Sequence, residues 1–172
     1  VLSNAAVVIS EGEVQQLNNI NNIINEDTYI EIVKAKTAEL FAAASMVGAI
    51  LSDADKTNIS ALYEYGLSLG IAFQIIDDAL DYSSKQQKLG KNTGDDFRDQ
   101  KATIPIIYSY EMSNEEEKKF WERTIIKGQQ TDNDFDEAVK LINKHKAIPK
   151  SINLAKTYVT KANNSLSVFK AV

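Results

Sequence analysis

The sequence predicts an all-α protein, and three observations predict it. Apolar residues recur at intervals of three and four over nearly the whole length, as the core side of an α-helix requires. Helix-start signals, a Ser, Thr or Asp with an acid shortly after it, precede most of these runs. Strand-like alternation is missing, and no segment repeats.

Residues 3–24 carry an apolar series at Val7, Val8, Val14, Leu17, Ile20 and Ile24. Gly12, flanked by Glu11 and Glu13, costs this helix about 1 kcal/mol relative to alanine, which points to a close contact or a site. Asp27-Thr28, with Glu31 three residues beyond the threonine, has the form of a capping box. It opens a helix over 28–51 with Ile32, Leu40, Phe41, Val47 and Leu51 on its apolar side. Ser52-Asp53 with Asp55 starts the next helix, which runs to Tyr82. Its second half, 66–80, is apolar on nearly all sides and predicts burial all round. The small residues Ala42, Ala43, Ala44, Gly48, Gly66 and Gly70 predict close helix packing. Residues 83–102 lack periodicity, hold Gly90 and Gly94 and are rich in charge, so they read as a long surface loop of a kind usually tied to function. Helices then start at Thr103, with Pro105 tolerated in the first turn, at Ser113 with Glu116, and at Asp132 or Asp134. A last helix starts at Pro149 and runs to the end.

Composition narrows the chemistry. The chain has 172 residues, 44% apolar and 25% charged, with a net charge of -5, which fits one domain with a proper core and excludes disorder. Two prolines and seven glycines exclude a collagen-like fibre. Without cysteine there is no disulfide framework, thiol catalysis or thiolate zinc site. His145 is the sole histidine, which excludes His-clustered metals and argues against a Ser-His-Asp triad; between Lys144 and Lys146 it reads as exposed and inert. The acidic balance argues against a nucleic-acid partner. The longest uncharged stretch, 40–52, falls well short of the roughly 20 apolar residues that a membrane span needs, so no transmembrane segment is expected. Val1-Leu2-Ser3-Asn4 offers neither a basic segment nor a cleavage site, which predicts a cytoplasmic protein. A start without methionine, inside a helical pattern, predicts a piece of something longer.

The densest chemistry is Gln74-Ile75-Ile76-Asp77-Asp78-Ala79-Leu80-Asp81. At about 100° per residue, with Gln74 at about 0°, Asp77 falls near about -60°, Asp78 near about +40° and Asp81 near about -20°. Carboxylates gathered on one side of a buried helix repel one another and lose hydration, so a cation must compensate. An oxygen-only donor set points to Mg²⁺ or Ca²⁺, and the lack of an EF-hand loop favours Mg²⁺ held together with phosphate oxygens. The alternative is a helix end that simply emerges into solvent. Lys85, Lys88, Lys91, Arg98 and Lys101 follow, with Gly90 and Gly94 around Lys91; metal-binding acids beside lysines suit a diphosphate. Lys36-Thr37, on an Ala-rich helix, reads either as a lysine reaching into a cleft or as one that snorkels to solvent.

In order along the chain, Glu11-Gly12-Glu13 with Gln16-Leu17, Lys36-Thr37-Ala38-Glu39-Leu40-Phe41, Tyr65-Gly66 and Gly70 to Tyr82, Gly90 to Asp96, and Lys101-Ala102-Thr103-Ile104-Pro105 resemble the trans-isoprenyl (polyprenyl) diphosphate synthase family. The resemblance covers the whole chain as the family's C-terminal half and is nearest to the long-chain, octaprenyl type. It implies an all-α fold, the C-terminal half of an isoprenoid-synthase helical bundle, in a homodimer with Mg²⁺ and no organic cofactor. Asp77, Asp78 and Asp81 look like the second aspartate-rich motif. By that likeness Asp77 and Asp78 bind Mg²⁺ with the allylic diphosphate, and Asp81 is an outer member. Lys36, Thr37 and Gln74 match positions that contact the allylic substrate, Lys91 and Lys101 match lysines that hold its diphosphate, and Gln16 falls where shorter-chain relatives place an aspartate. The implied reaction is departure of diphosphate from the allylic substrate and attack by the double bond of isopentenyl diphosphate. Asp77, Asp78 and Lys36 would carry the catalysis.

Two departures stand out. Gln100 replaces the glycine the family usually places before the lysine numbered 101 here. No first aspartate-rich motif followed by an arginine pair is found, nor the basic site for isopentenyl diphosphate, which predicts that the chain alone is inactive. A non-catalytic helical subunit of a heteromeric prenyl synthase is the second reading; such subunits lose their acids, whereas Asp77, Asp78 and Asp81 are retained. A class I terpene cyclase would show an Asn/Asp-Ser/Thr-Glu metal motif, which the matching helix lacks.

Overall fold

The structure is a computed structural model that describes residues 1–83 and 93–169. Helices make up the ordered elements, and no strand occurs among the described residues. Helix α1 spans Leu2–Leu17, α2 Glu26–Val33, α3 Glu39–Leu51 and α4 Lys56–Asp81. They are followed by α5 (Asp95–Arg98), α6 (Ile104–Glu111), α7 (Glu115–Trp121), α8 (Asp134–Lys144) and α9 (Ala147–Ser165). A wide π-helical turn, Lys34–Ala38, links α2 to α3, and a second, Glu122–Ile126, extends α7.

The helix starts follow local chemistry. The Thr28 N–H donates to the Asn25 side chain at 2.8 Å, so Asn25 caps α2 and the helix begins before the expected Thr28. Asp55 caps α4 in the same way, accepting from the Asn58 N–H at 2.8 Å. Thr103 precedes α6, with Pro105 in its first turn as expected. Asn114, one residue past the expected Ser113, closes a capping box with Glu117 on α7. Helix α1 stops at Leu17, short of the expected 24, and the chain turns through Asn21 at φ 64°.

The described residues fall into two compact units. The first comprises Val1–Gln15, Ile30–Gln74 and the chain from Leu154 onward. Its close contacts are made by small residues. A Cβ on Gly12 would stand 2.5 Å from the Lys36 backbone nitrogen, and one on Gly70 would stand 2.6 Å from the Ala38 Cα. Gly12 therefore serves a helix crossing over the π turn. Gly66 is pressed likewise onto α3, whereas no described atom lies within 4 Å of a Cβ built on Gly48, against expectation. The α1 residues that bury are Ala5 and Gly12, while Val7, Val14 and Leu17 are exposed, so the apolar series there is not the packed side. Leu40 and Leu51 on α3 are exposed too, in contrast to Ile32.

The second unit comprises Gln16–Tyr29 and Ile75–Asn153. Helix α6 is almost wholly buried through Ile104, Pro105, Ile106, Ile107, Tyr108 and Ser109, and it packs on α7 and α8. Trp121, the only tryptophan, is fully buried. Its indole N–H donates to Ser113 Oγ at 3.2 Å, and its ring stands edge-on to Phe120 at 5.1 Å. The expectation of an inert, exposed His145 is corrected: its side chain is 10% exposed and its Nε2 lies 3.1 Å from Glu117 Oε2.

Helix α4 runs through the residues of both units. By length and composition alone it would also cross a membrane, but Ser68, Gly70, Ile71, Ala72, Ile75, Asp78 and Ala79 are buried, as in a core helix. It is not buried all round, however. Phe73, Ile76, Asp77 and Leu80 are exposed, which leaves one side of its C-terminal half open.

Candidate functional site

The C-terminal turns of α4 send their acids in different directions. Asp77 is exposed and Asp81 half-buried, and both line a cavity of about 190 Å³. Asp78 is buried, and its Oδ2 accepts from the Tyr29 hydroxyl at 2.7 Å. An arc of about 100° is wide enough for its edges to meet different surroundings. The shared side expected from the helical wheel therefore holds for Asp77 and Asp81 but not for Asp78.

The remaining walls of the cavity are Asp95 and Asp96, in the first turn of α5. Asp81 brings them there. Its Oδ1 accepts from the Gly94 N–H at 2.9 Å and its Oδ2 from the Asp96 N–H at 3.1 Å. Gly94 makes that course possible with φ at 82°, and a Cβ there would stand 2.6 Å from the Phe135 ring carbon Cδ2. Asp95 and Asp96 enter the family resemblance only as the end of the segment from Gly90 to Asp96, with no site role of their own. Their signal was present nonetheless, because Asp95-Asp96-Phe97-Arg98-Asp99 repeats the spacing of Asp77 to Asp81.

Charge is crowded at this cavity. Burial, and then the neighbouring Asp81 charge, pushes the Asp96 carboxyl up to about 6, against the opposing pull of Lys101. Lys101 Nζ lies 2.8 Å from Asp99 Oδ2 and 3.8 Å from Asp96 Oδ1. Tyr29 is raised well above the usual phenol range by burial and then by Asp78. Burial and then Asp96 do the same to Tyr82.

Among the described residues, no three acids stand together as a finished metal cage. The donor set still fits a hard cation. Mg²⁺ takes one or two carboxylates and completes its octahedron with water and phosphate oxygens.

Lys36 and Thr37 lie in the π turn of the first unit, a geometry with no local signature in these residues and one that recurs at functional sites. Thr37 Oγ1 donates to Gln74 Oε1 at 2.9 Å, which fixes the amide of Gln74. Lys36 Nζ pairs with Glu13 Oε2 at 2.9 Å and is partly exposed, so the long side chain lies along the α1 crossing. Gln16 is half-buried in the last turn of α1. Lys85, Lys88 and Lys91 lie outside the described residues.

Known proteins share both the sequence and the fold. The family model for polyprenyl synthetase matches residues 1–142. Octaprenyl diphosphate synthase of Haemophilus influenzae is 35% identical over 169 residues, covering 98% of the chain and 51% of that protein. The Escherichia coli octaprenyl diphosphate synthase is 40% identical over 129 residues, covering 74% of the chain and 40% of that protein. Among solved structures, a polyprenyl synthase from Caulobacter crescentus in complex with calcium and isoprenyl diphosphate superposes with a TM-score of 0.94 at 46% identity, over 99% of the chain and 52% of that one. A decaprenyl diphosphate synthase from Rhodobacter capsulatus gives 0.93 at 43% identity, over 99% and 53%. The chain thus spans about half the length of the relatives it matches.

Proposed function

Because the chain belongs to the polyprenyl synthetase family, we propose that it is the C-terminal portion of a trans-polyprenyl diphosphate synthase. In this reading the full-length enzyme adds isopentenyl diphosphate units to an allylic diphosphate, in a homodimer. The observation that carries the proposal is the cavity lined by Asp77, Asp81, Asp95 and Asp96. Its four carboxylates outnumber the cations set against them, Arg98 at 2.9 Å from Asp95 and Lys101 near Asp96, and that excess calls for a divalent cation and, with Lys101, for a diphosphate.

Asp77 offers its exposed carboxylate to Mg²⁺. Asp81 holds the Gly94 segment in place, and Asp78 completes the acidic turn from its buried side. Lys101, with Lys91, neutralises diphosphate oxygens. Lys36, Thr37 and Gln74 serve the allylic substrate, with Gln16 as a further contact. Held by these acids, Mg²⁺ would supply electrophilic stabilisation of the charge that develops on the departing diphosphate.

Asp77→Ala in the full-length protein is expected to lower turnover about 10²-fold or more while leaving the helical circular dichroism unchanged. Near-normal turnover in that variant would overturn the metal reading. A polypeptide limited to these residues is expected to show no Mg²⁺-dependent chain elongation, because its only arginines, Arg98 and Arg123, cannot supply the missing pair.

A further inference from the structure

We infer that Tyr29 is a positioning residue for the acidic turn of α4, an inference that rests on the metal reading above. Tyr29 and Asp78 are both 4% exposed, and the hydroxyl donates to Oδ2 at 2.7 Å. A phenol donating to a charged acceptor in a buried setting makes one of the stronger hydrogen bonds available to a side chain. The phenol is itself held. Glu26, one turn before Tyr29 on α2, accepts from the Tyr108 hydroxyl at 2.5 Å, and Tyr108 is 2% exposed on α6. The start of α2 is thus pinned by two phenol–carboxylate bonds that run in opposite directions.

The consequence falls on the neighbours of Asp78. Asp77 lies about 100° from it around the helix and Asp81 about 60°. Drawing Asp78 to the buried side therefore sets the rotation at which Asp77 and Asp81 face the cavity. It also keeps one more negative charge out of a space already walled by Asp77, Asp81, Asp95 and Asp96. Removing the hydroxyl takes a strong donor from a buried carboxylate and loosens the hold on its side-chain direction.

The test is Mn²⁺ binding in the presence of saturating inorganic diphosphate, followed by electron paramagnetic resonance on the full-length protein, with the melting temperature recorded in parallel. Tyr29→Phe is expected to weaken Mn²⁺ binding about tenfold, the scale on which loss of a group that orients metal-binding side chains acts. Asp78→Asn is expected to match it, and the double variant to be no worse than the weaker single one. A Tyr29→Phe protein that melts earlier yet binds Mn²⁺ within twofold of the parent overturns the inference, since a purely structural role predicts that pattern. Should Tyr29→Phe fail to fold, normal Mn²⁺ affinity in Asp78→Asn overturns it equally. Asp77→Asn separates the two claims: if it loses Mn²⁺ while Tyr29→Phe does not, only the positioning role falls. If Asp77→Asn binds normally, or the parent shows no saturable binding, the metal reading falls and takes this inference with it.

Discussion

Glu117 and Asp96 are carboxylates of the same compact unit, and their surroundings drive them in opposite directions. Glu117 accepts from Lys144 Nζ at 2.5 Å and from its own helix cap at Asn114, with His145 beside it, and these contacts hold it down at about 2. Asp134 is treated alike by the two-pronged guanidinium of Arg123, at 2.7 and 2.8 Å, and also falls to about 2. Asp96 is desolvated among other acids and rises to about 6. Where each carboxylate has a cation of its own, the charges fasten helices together. Where acids outnumber cations, the fold carries a cost that a bound cation would relieve.

Substitutions can break or sharpen that contrast. The largest effect is expected from Arg123→Ala, which strips the nearly buried Asp134 of its partner and should lower unfolding stability in urea by about 3 kcal/mol. At the crowded cavity the sign reverses. The folded value of Asp96, about 6, lies above its ordinary 3.8, so the fold is penalised as pH rises through that window and carries the full penalty above it. Asp96→Asn should therefore raise neutral-pH stability by roughly 2 kcal/mol and flatten the decline between these pH values. A variant no more stable than the parent would erase the contrast.

Glu117 predicts the opposite slope. Its folded value is depressed from 4.5 to about 2, so its contribution is present above 4.5 and lost as pH falls toward 2. Glu117→Gln should remove roughly 1–2 kcal/mol of acid-sensitive stability, read from the midpoint of acid unfolding. The smallest effect is expected at Gln100, which holds φ at 58° where the family's glycine would sit unstrained. Gln100→Gly should raise the melting temperature through a gain of about 1 kcal/mol or less.

What was legible in the sequence was what the chain encodes locally. Pro105 after Thr103 and Asp55 before Lys56 mark helix starts because a cap or a missing N–H acts within one turn. Thr28 misled because Asn25 satisfies the same N–H from three residues earlier. Ile20 and Ile24 extended the apolar period past Leu17 because both remain half-buried after the helix has ended. The π turns at Lys34–Ala38 and Glu122–Ile126 have no composition that marks them. At the site, the α4 acids stood out as carboxylates on an apolar helix. Tyr29 lies 49 residues from Asp78, and Glu117 lies 28 from His145, so neither partnership leaves a local trace. Asp95 and Asp96 fall between these cases: their spacing was visible, but only the bond from Asp81 to the Gly94 segment brings them to the cavity.

Trp121 makes the molecule its own reporter. The sole indole is sealed in the second unit, while tyrosines such as Tyr63 and Tyr65 belong to the first. Fluorescence excited selectively at the indole therefore follows the melting of the second unit, whereas far-ultraviolet dichroism weights every helix. Superimposable transitions mean that the unit carrying the acids and the unit carrying Lys36 unfold as one cooperative body. Separate transitions would give each half its own thermodynamics, with the break falling inside α4, between Gln74 and Ile75.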